Sequence, residues 1–232
     1  MAFNSAVNRY VELVDTKPHI IFRAEDGELS SEAHEALLAK QREFKRLFVE
    51  IGSGSGGHII ERAEKDPEAL FVGIELRYKR VYRTAEKAEQ RGLRNVVVIQ
   101  IDAANVLEVL FAPESIDGLF VLFPDPWDKR RWKKHRIVNE NFLASAHRLL
   151  KADGFWQYKT DHGGYFKETE ALLRASHLFV FEHLTEDLHG SSAPVENVES
   201  EFEKLFKYKR LPIYMLTAKK HVLQKICANL VK

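Results

Sequence analysis

The chain has 232 residues, 45% of them apolar and 30% charged, and a net charge of +1. That length supports one large α/β domain or two small ones, and no apolar run is long enough to span a bilayer. A near-neutral total excludes a uniformly basic nucleic-acid binder but permits a local patch, and a single cysteine, Cys227, excludes an internal disulfide and points to a reducing, cytoplasmic setting.

Residues 1–5 have no basic segment followed by an apolar one, so they do not read as a secretory signal. Residues 1–45 read as an extension with one helix, over 31–44, capped by Ser30 or Ser31. Residues 46–232 read as one domain. Apolar runs at 47–51, 70–74, 96–101, 116–123 and 155–160 predict buried strands. Between them, 58–65, 77–91, 138–150 and 164–175 predict helices, with Gly92 and Gly154 as stops. Two more strands are expected at 178–184 and 213–219, antiparallel at one edge, with 186–208 as a long excursion between them. Repeated strand-helix units make a doubly wound α/β fold with a mostly parallel, seven-stranded sheet.

Acidic residues recur at the strand ends: Glu50, Glu75, Asp102, Asp125 and Asp161. One acid there caps the next helix; five in succession, at the edge where open α/β sheets bind ligands, predict a shared crevice. The turn Gly52-Ser-Gly-Ser-Gly-Gly57 fits G-x-G-x-x-G through Gly52, Gly54 and Gly57. Alone that pattern is shared with nicotinamide and flavin enzymes. Glu50 discriminates, because a carboxylate beside the loop repels a pyrophosphate and suits a cationic ligand without phosphate. S-adenosylmethionine, with a sulfonium and an ammonium, is such a ligand. On this reading Glu75 accepts from the ribose hydroxyls, Asp102 from the adenine amino group, and Glu50 favours the ammonium.

The segment Phe123-Pro-Asp-Pro-Trp127 follows the fourth predicted strand. Two prolines stiffen it, which suits an edge that holds Asp125 still. Residues 129–136 then read KRRWKKHR, six Lys or Arg in eight positions with Trp132 interleaved. Such a run is commonly a solvated face. Beside a methyl donor it predicts phosphate contacts from Arg130, Arg131, Lys133, Lys134 and Arg136, and stacking on a base by the aromatic. Asp128 is an acid in that loop, expected to orient a neighbouring arginine. No Cys/His cluster has metal-ligand spacing.

These residues resemble the bacterial tRNA (guanine-N7)-methyltransferase family. The resemblance rests on Glu50-Ile-Gly-Ser-Gly-Ser-Gly56, Gly73-Ile-Glu75, Phe123-Pro-Asp-Pro-Trp127 with Lys129 and the basic run, and Thr160-Asp161. It covers roughly residues 45–220 and implies a methyltransferase sheet and methylation of N7 of a guanine in the tRNA variable loop. Carried over by motif, Glu50, Gly52, Gly54, Glu75, Asp102 and Asp125 form the cofactor set, Asp125 is also catalytic, and Lys129 and Asp161 contact substrate. The family's late motif, Thr-x-aromatic-Glu, is matched by Ser200, Glu201, Phe202 and Glu203, with Ser in place of Thr.

Guanine N7 has an in-plane lone pair and needs no deprotonation, so the work is alignment and stabilisation of the charge that develops on the base. Asp125 and Asp161 are the expected carboxylates for it, ahead of His135 and His162. A methyltransferase acting on a protein or small molecule, and a non-catalytic RNA-binding protein with the same fold, are the alternatives.

Overall fold

A computed structural model describes residues 9–103, 106–190 and 197–221; residues 1–5 and Cys227 lie outside the described residues. In chain order the elements are α1 (Tyr10–Val14), β1 (Ile21–Arg23), α2 (Ser31–Arg42), β2 (Arg46–Ile51), α3 (Gly57–Lys65), β3 (Ala69–Glu75), α4 (Tyr78–Gln90), β4 (Val96–Gln100) and α5 (Leu107–Leu110). There follow β5 (Ile116–Leu122), a 3-10 segment (Arg130–His135), α6 (Glu140–Leu149), β6 (Leu150–Thr160), α7 (Gly163–Ser176), β7 (Phe179–Thr185), α8 (Glu201–Tyr208) and β8 (Tyr214–Lys220).

One sheet runs in the order β1-β4-β3-β2-β5-β6-β8-β7. The strands from β1 across to β6 are parallel, and β8 is antiparallel to both β6 and β7. The doubly wound fold and its antiparallel edge are as expected; among the described residues the strands number eight, not seven. The additional strand is β1, which pairs Ile21 with Val98 and Phe22 with Ile99. At three residues it is too short for period-two patterning to reveal. Residues 9–45 therefore supply the sheet edge and carry α1 besides the expected α2, which Ser30 caps by accepting from Ala33 N.

The interior strands are apolar on both faces because helices cover both. Leu70, Val72 and Ile74 of β3 pack into one core with Leu37, Phe142, Leu143 and Phe166 from α2, α6 and α7. Phe71, one residue out of phase, joins Ile59, Ile60, Val81 and Ala85 from α3 and α4 on the other face. The same alternation puts Leu47, Val49 and Ile51 of β2 in the first core, so Glu50 turns toward α3.

The strand order reverses between β2 and β5. At the carboxyl end of that pair the two flanking connections leave in opposite directions and open a crevice.

Candidate functional site

Glu50 is 3% exposed and its Oε2 lies 2.8 Å from His58 Nδ1 on α3. Arg62, one turn on, donates from Nε to His58 Nε2 at 2.8 Å. That bond makes Nε2 an acceptor, so the imidazole proton sits on Nδ1 and is donated to Glu50. Burial holds His58 well below its ordinary pKa, and the Arg62 charge reinforces the effect. Burial pushes Glu50 up to about 8 against the opposing charges of Arg62 and Lys159. Sequence reasoning missed His58 and Arg62; their i, i+4 spacing directly after the Gly loop was the available signal.

The Gly loop has the geometry of a ligand cradle. Gly52 and Gly54 adopt φ of 71° and 58°, and a Cβ on either would project into open space. Buried Ser53 Oγ has no hydrogen-bond partner among the described residues. Glu75, also buried, accepts from Gly54 N at 3.1 Å and from Arg77 N at 2.9 Å, which locks the loop to the end of β3.

The sequence-predicted residues divide between two clefts. Glu50, Gly52, Gly54, Ser200, Glu201 and Phe202 line the first, at the strand-order reversal. Asp102 and Asp125 line the second with Leu76, Trp127, Lys134 and His135. Leu76 follows Glu75 and lines the second cleft, while Glu75 itself bonds Gly54 of the first, so the end of β3 touches both. Asp161 is exposed after β6 and lines neither.

The loop between β5 and the 3-10 segment is stiffer than its prolines require. Phe123 and Trp127, the residues flanking it, both have positive φ, 51° and 45°. For residues with a Cβ that conformation is strained, and such strain persists only where the surroundings enforce it. Here Phe123 N donates to Lys159 O at 2.8 Å and Arg136 Nε to Pro126 O at 2.7 Å. Asp128 does not orient an arginine; its Oδ1 faces His162 Nε2 at 2.6 Å. His162 Nδ1 accepts from Tyr165 N as the cap of α7, so its proton lies on Nε2, toward Asp128. The carboxylate joins the Asp125 loop to the turn that carries Asp161.

One residue of the basic run turns inward, and an exposed one is tied to the same carboxylate. Arg136 is 6% exposed, pairs with Glu168 and lies 4.2 Å from the Tyr165 ring centroid. Lys133 pairs with the same Glu168, and its hydrogen bond holds that carboxyl below the usual carboxylate range. Lys129, Arg130, Arg131 and Lys134 are exposed. Lys129 and Arg131 both lie over the Trp132 ring, at 4.8 and 5.1 Å from its centroid.

The late motif builds α8. Ser200 caps it, accepting from Glu203 N at 3.1 Å, so the hydroxyl that matters is retained. Glu201 lies against Gly57, at the start of α3, and pairs with Lys87 at 2.6 Å. Glu203, expected to touch substrate, is fully buried and pairs at 2.8 Å with Lys159, also fully buried. Asn197 bonds both partners, and Val198 O accepts from Lys159 at 3.3 Å. Lys159, which sequence reasoning missed, thus fixes α8 through its side chain and the Asp125 loop through its carbonyl. His189, Glu199 and Glu203 bring ligand atoms within 4.8 Å of one another, but Lys159 and Lys207 already answer the two carboxylates.

Residues 45–216 match a family profile described as "Putative methyltransferase". A tRNA (guanine-N(7)-)-methyltransferase of Levilactobacillus brevis is 35% identical over 172 residues, 74% of this chain and 79% of that protein. One from Mycoplasma pneumoniae is 35% identical over 77% of this chain and 86% of its own. The chain belongs to the tRNA (guanine-N7)-methyltransferase family. A bifunctional glycosyltransferase/methyltransferase of Fusobacterium nucleatum is 35% identical over 71% of this chain, which spans only 25% of that longer protein. Solved structures agree on the fold of this family member. An antibiotic-related methyltransferase superposes with a TM-score of 0.61 at 20% identity, over 85% of this chain and 97% of that one. The 16S rRNA methyltransferase KamB does so at 0.59 and 13%, over 84% and 95%.

Proposed function

We propose that this chain transfers the methyl group of S-adenosylmethionine to N7 of a guanine in the tRNA variable loop. Bound between Glu50 of the first cleft and Asp102 of the second, the cofactor supplies an electrophilic methyl group on a cationic sulfur. The observation that carries the reading is the pairing of a buried carboxylate, Glu50, with an open glycine cradle. That donor set fits a cation, which draws Glu50 into its ionised form. Gly52 and Gly54 let the ligand approach the backbone, Glu75 offers its remaining lone pairs to ribose hydroxyls, and Asp102 stands on the adenine side. Asp125, on its pinned loop, stabilises the positive charge that grows on the guanine, and Asp161 assists from the neighbouring turn. Lys129 and the exposed cations of the 3-10 segment hold the phosphates. Among the described residues no helix is long and apolar enough to cross a membrane, and a tRNA substrate places the protein in the cytoplasm. The catalytic domain spans residues 46–232, and β1 of the earlier segment adds a strand to its sheet.

The test is incubation with bulk tRNA and methyl-labelled cofactor, followed by nucleoside analysis and mapping. Label should appear as 7-methylguanosine in the variable loop. Asp125→Ala should lower turnover about a hundredfold or more, the cost of removing one group that stabilises a transition-state charge, with tRNA affinity retained. Label in protein, in a small molecule or in another nucleoside would overturn the reading.

A further inference from the structure

Beyond the basic run, α8 ends in a second cationic cluster. Lys204, Lys207, Lys209 and Arg210 follow Glu201 and Phe202 within ten residues. Lys207 is occupied by Glu199, and Lys204 lies 3.8 Å from Glu61. Lys209 and Arg210 are exposed and have no acid partner among the described residues. Beside them Tyr208 is 87% exposed.

The backbone at Arg210 runs against stability. Its φ is +56°. Arg210 N donates to Lys207 O and Leu211 N to Phe206 O, each at 3.0 Å, the two bonds of a Schellman turn. Glycine is favoured at that position, because a Cβ is strained in the left-handed region. An arginine there gains from the field of the helix end, but a lysine one residue earlier, at Lys209, supplies the same charge without the strain.

The cluster is continuous with the proposed active site. Phe202 and Leu205 line the first cleft. Phe123, which opens the Asp125 loop, packs on Phe202 at 6.3 Å and on Phe206 at 5.4 Å. The two basic segments therefore leave from two sides of one aromatic contact. At 1.5 Å per residue, Tyr208 stands about 9 Å along the helix from Phe202, within reach of the nucleotides flanking one held in the cleft.

We propose that the C-terminal turn of α8, Tyr208 with Lys209 and Arg210, is a second RNA-binding site. The two cations take backbone phosphates of the strand flanking the target guanine, and Tyr208 stacks on one of its unpaired bases. This rests on the tRNA reading above and adds a second element that grips the strand.

The experiment measures tRNA binding against salt, methyl-transfer kinetics, S-adenosylhomocysteine binding and melting temperature on the full-length protein. Lys209→Ala/Arg210→Ala should weaken tRNA binding about tenfold and flatten the log-log salt slope by roughly 1.5, because two phosphates are no longer neutralised. Tyr208→Ala should weaken binding without changing the slope, and Tyr208→Phe should restore it. Cofactor-product affinity should stay within about twofold, since the turn lies outside the cleft. Arg210→Gly separates function from folding: its melting temperature should rise by about 2 °C while tRNA affinity falls. Arg94→Ala, an exposed cation at the amino ends of the strands, should change nothing. Wild-type tRNA affinity and salt slope in the Lys209/Arg210 variant would overturn this proposal and leave the proposed function standing. Failure of the wild-type protein to bind or methylate tRNA would overturn both.

Discussion

A carboxyl group sealed from water resists ionisation, because no solvent stabilises its charge. Glu50 is in that state, held near pH 8 by burial and hydrogen-bonded to a neutral His58. A cationic ligand reverses the balance. Its ammonium replaces the missing solvation, so binding at neutral pH expels the Glu50 proton. Affinity for S-adenosylhomocysteine should then rise from about pH 6.5 to about 8 and level off above, and Glu50→Gln should bind weakly with a flat profile. Calorimetry in buffers of different ionisation enthalpy would detect the released proton; a profile equally steep in Glu50→Gln would remove Glu50 from the linkage. The ligand-free protein carries the opposite sign. With a folded pKa raised from 4.5 to about 8, the Glu50 contribution is fully present below pH 4.5 and is lost as pH rises through 8. The gain in melting temperature of Glu50→Gln over wild type should therefore be larger at about pH 8 than at about pH 5.

At the scale of elements, a fully buried ion pair, Lys159 with Glu203, ties α8 to β6. Removing one partner of such a pair strands the other charge, and Glu203→Ala should cost about 3–5 kcal/mol, a fall in melting temperature of roughly 10 °C. Lys159→Met/Glu203→Leu should recover most of that stability, since apolar side chains of similar volume replace buried pairs at little cost. Recovery of stability with weakened cofactor-product binding would show that the pair places the roof of the first cleft; a double variant as unstable as the single would show that the charges hold the fold itself. The parallel strands were legible in the sequence because burial on both faces makes Leu70–Ile74 or Val96–Ile99 continuously apolar. α8 was not, because its face is crowded with lysine and only Ser200-x-x-Glu203, a capping-box spacing, marks its start. Half of that box is used: Ser200 caps the helix, while Glu203 turns away to Lys159. The acids at the strand ends were legible one by one. Their division between two clefts was not, since it depends on how far each loop carries its side chain from the strand. The inward turn of Arg136 and the partnership of Asp128 with His162 depend on α7, whose partners lie a whole helix and strand away along the chain.

For the whole molecule, a net charge of +1 leaves only a local field to attract a polyanion. Its strength depends on which cations are uncompensated. In the basic run Glu168 neutralises Lys133 and Arg136, leaving Lys129, Arg130, Arg131 and Lys134 without an acid partner among the described residues. Replacing those four with alanine should flatten the salt dependence of tRNA binding by roughly 3, at about 0.7 for each phosphate on a single strand that a cation no longer neutralises. Arg136→Ala should act differently. It removes the bond to Pro126 O, the stacking on Tyr165 and the charge facing Glu168, so it should lower the melting temperature and loosen the loop that carries Asp125. Turnover would then fall while the salt slope stays near that of the wild type. A slope flattened by Arg136→Ala as much as by Arg131→Ala would mean that the guanidinium swings out to meet the RNA, and the division between the run's inner and outer cations would no longer hold.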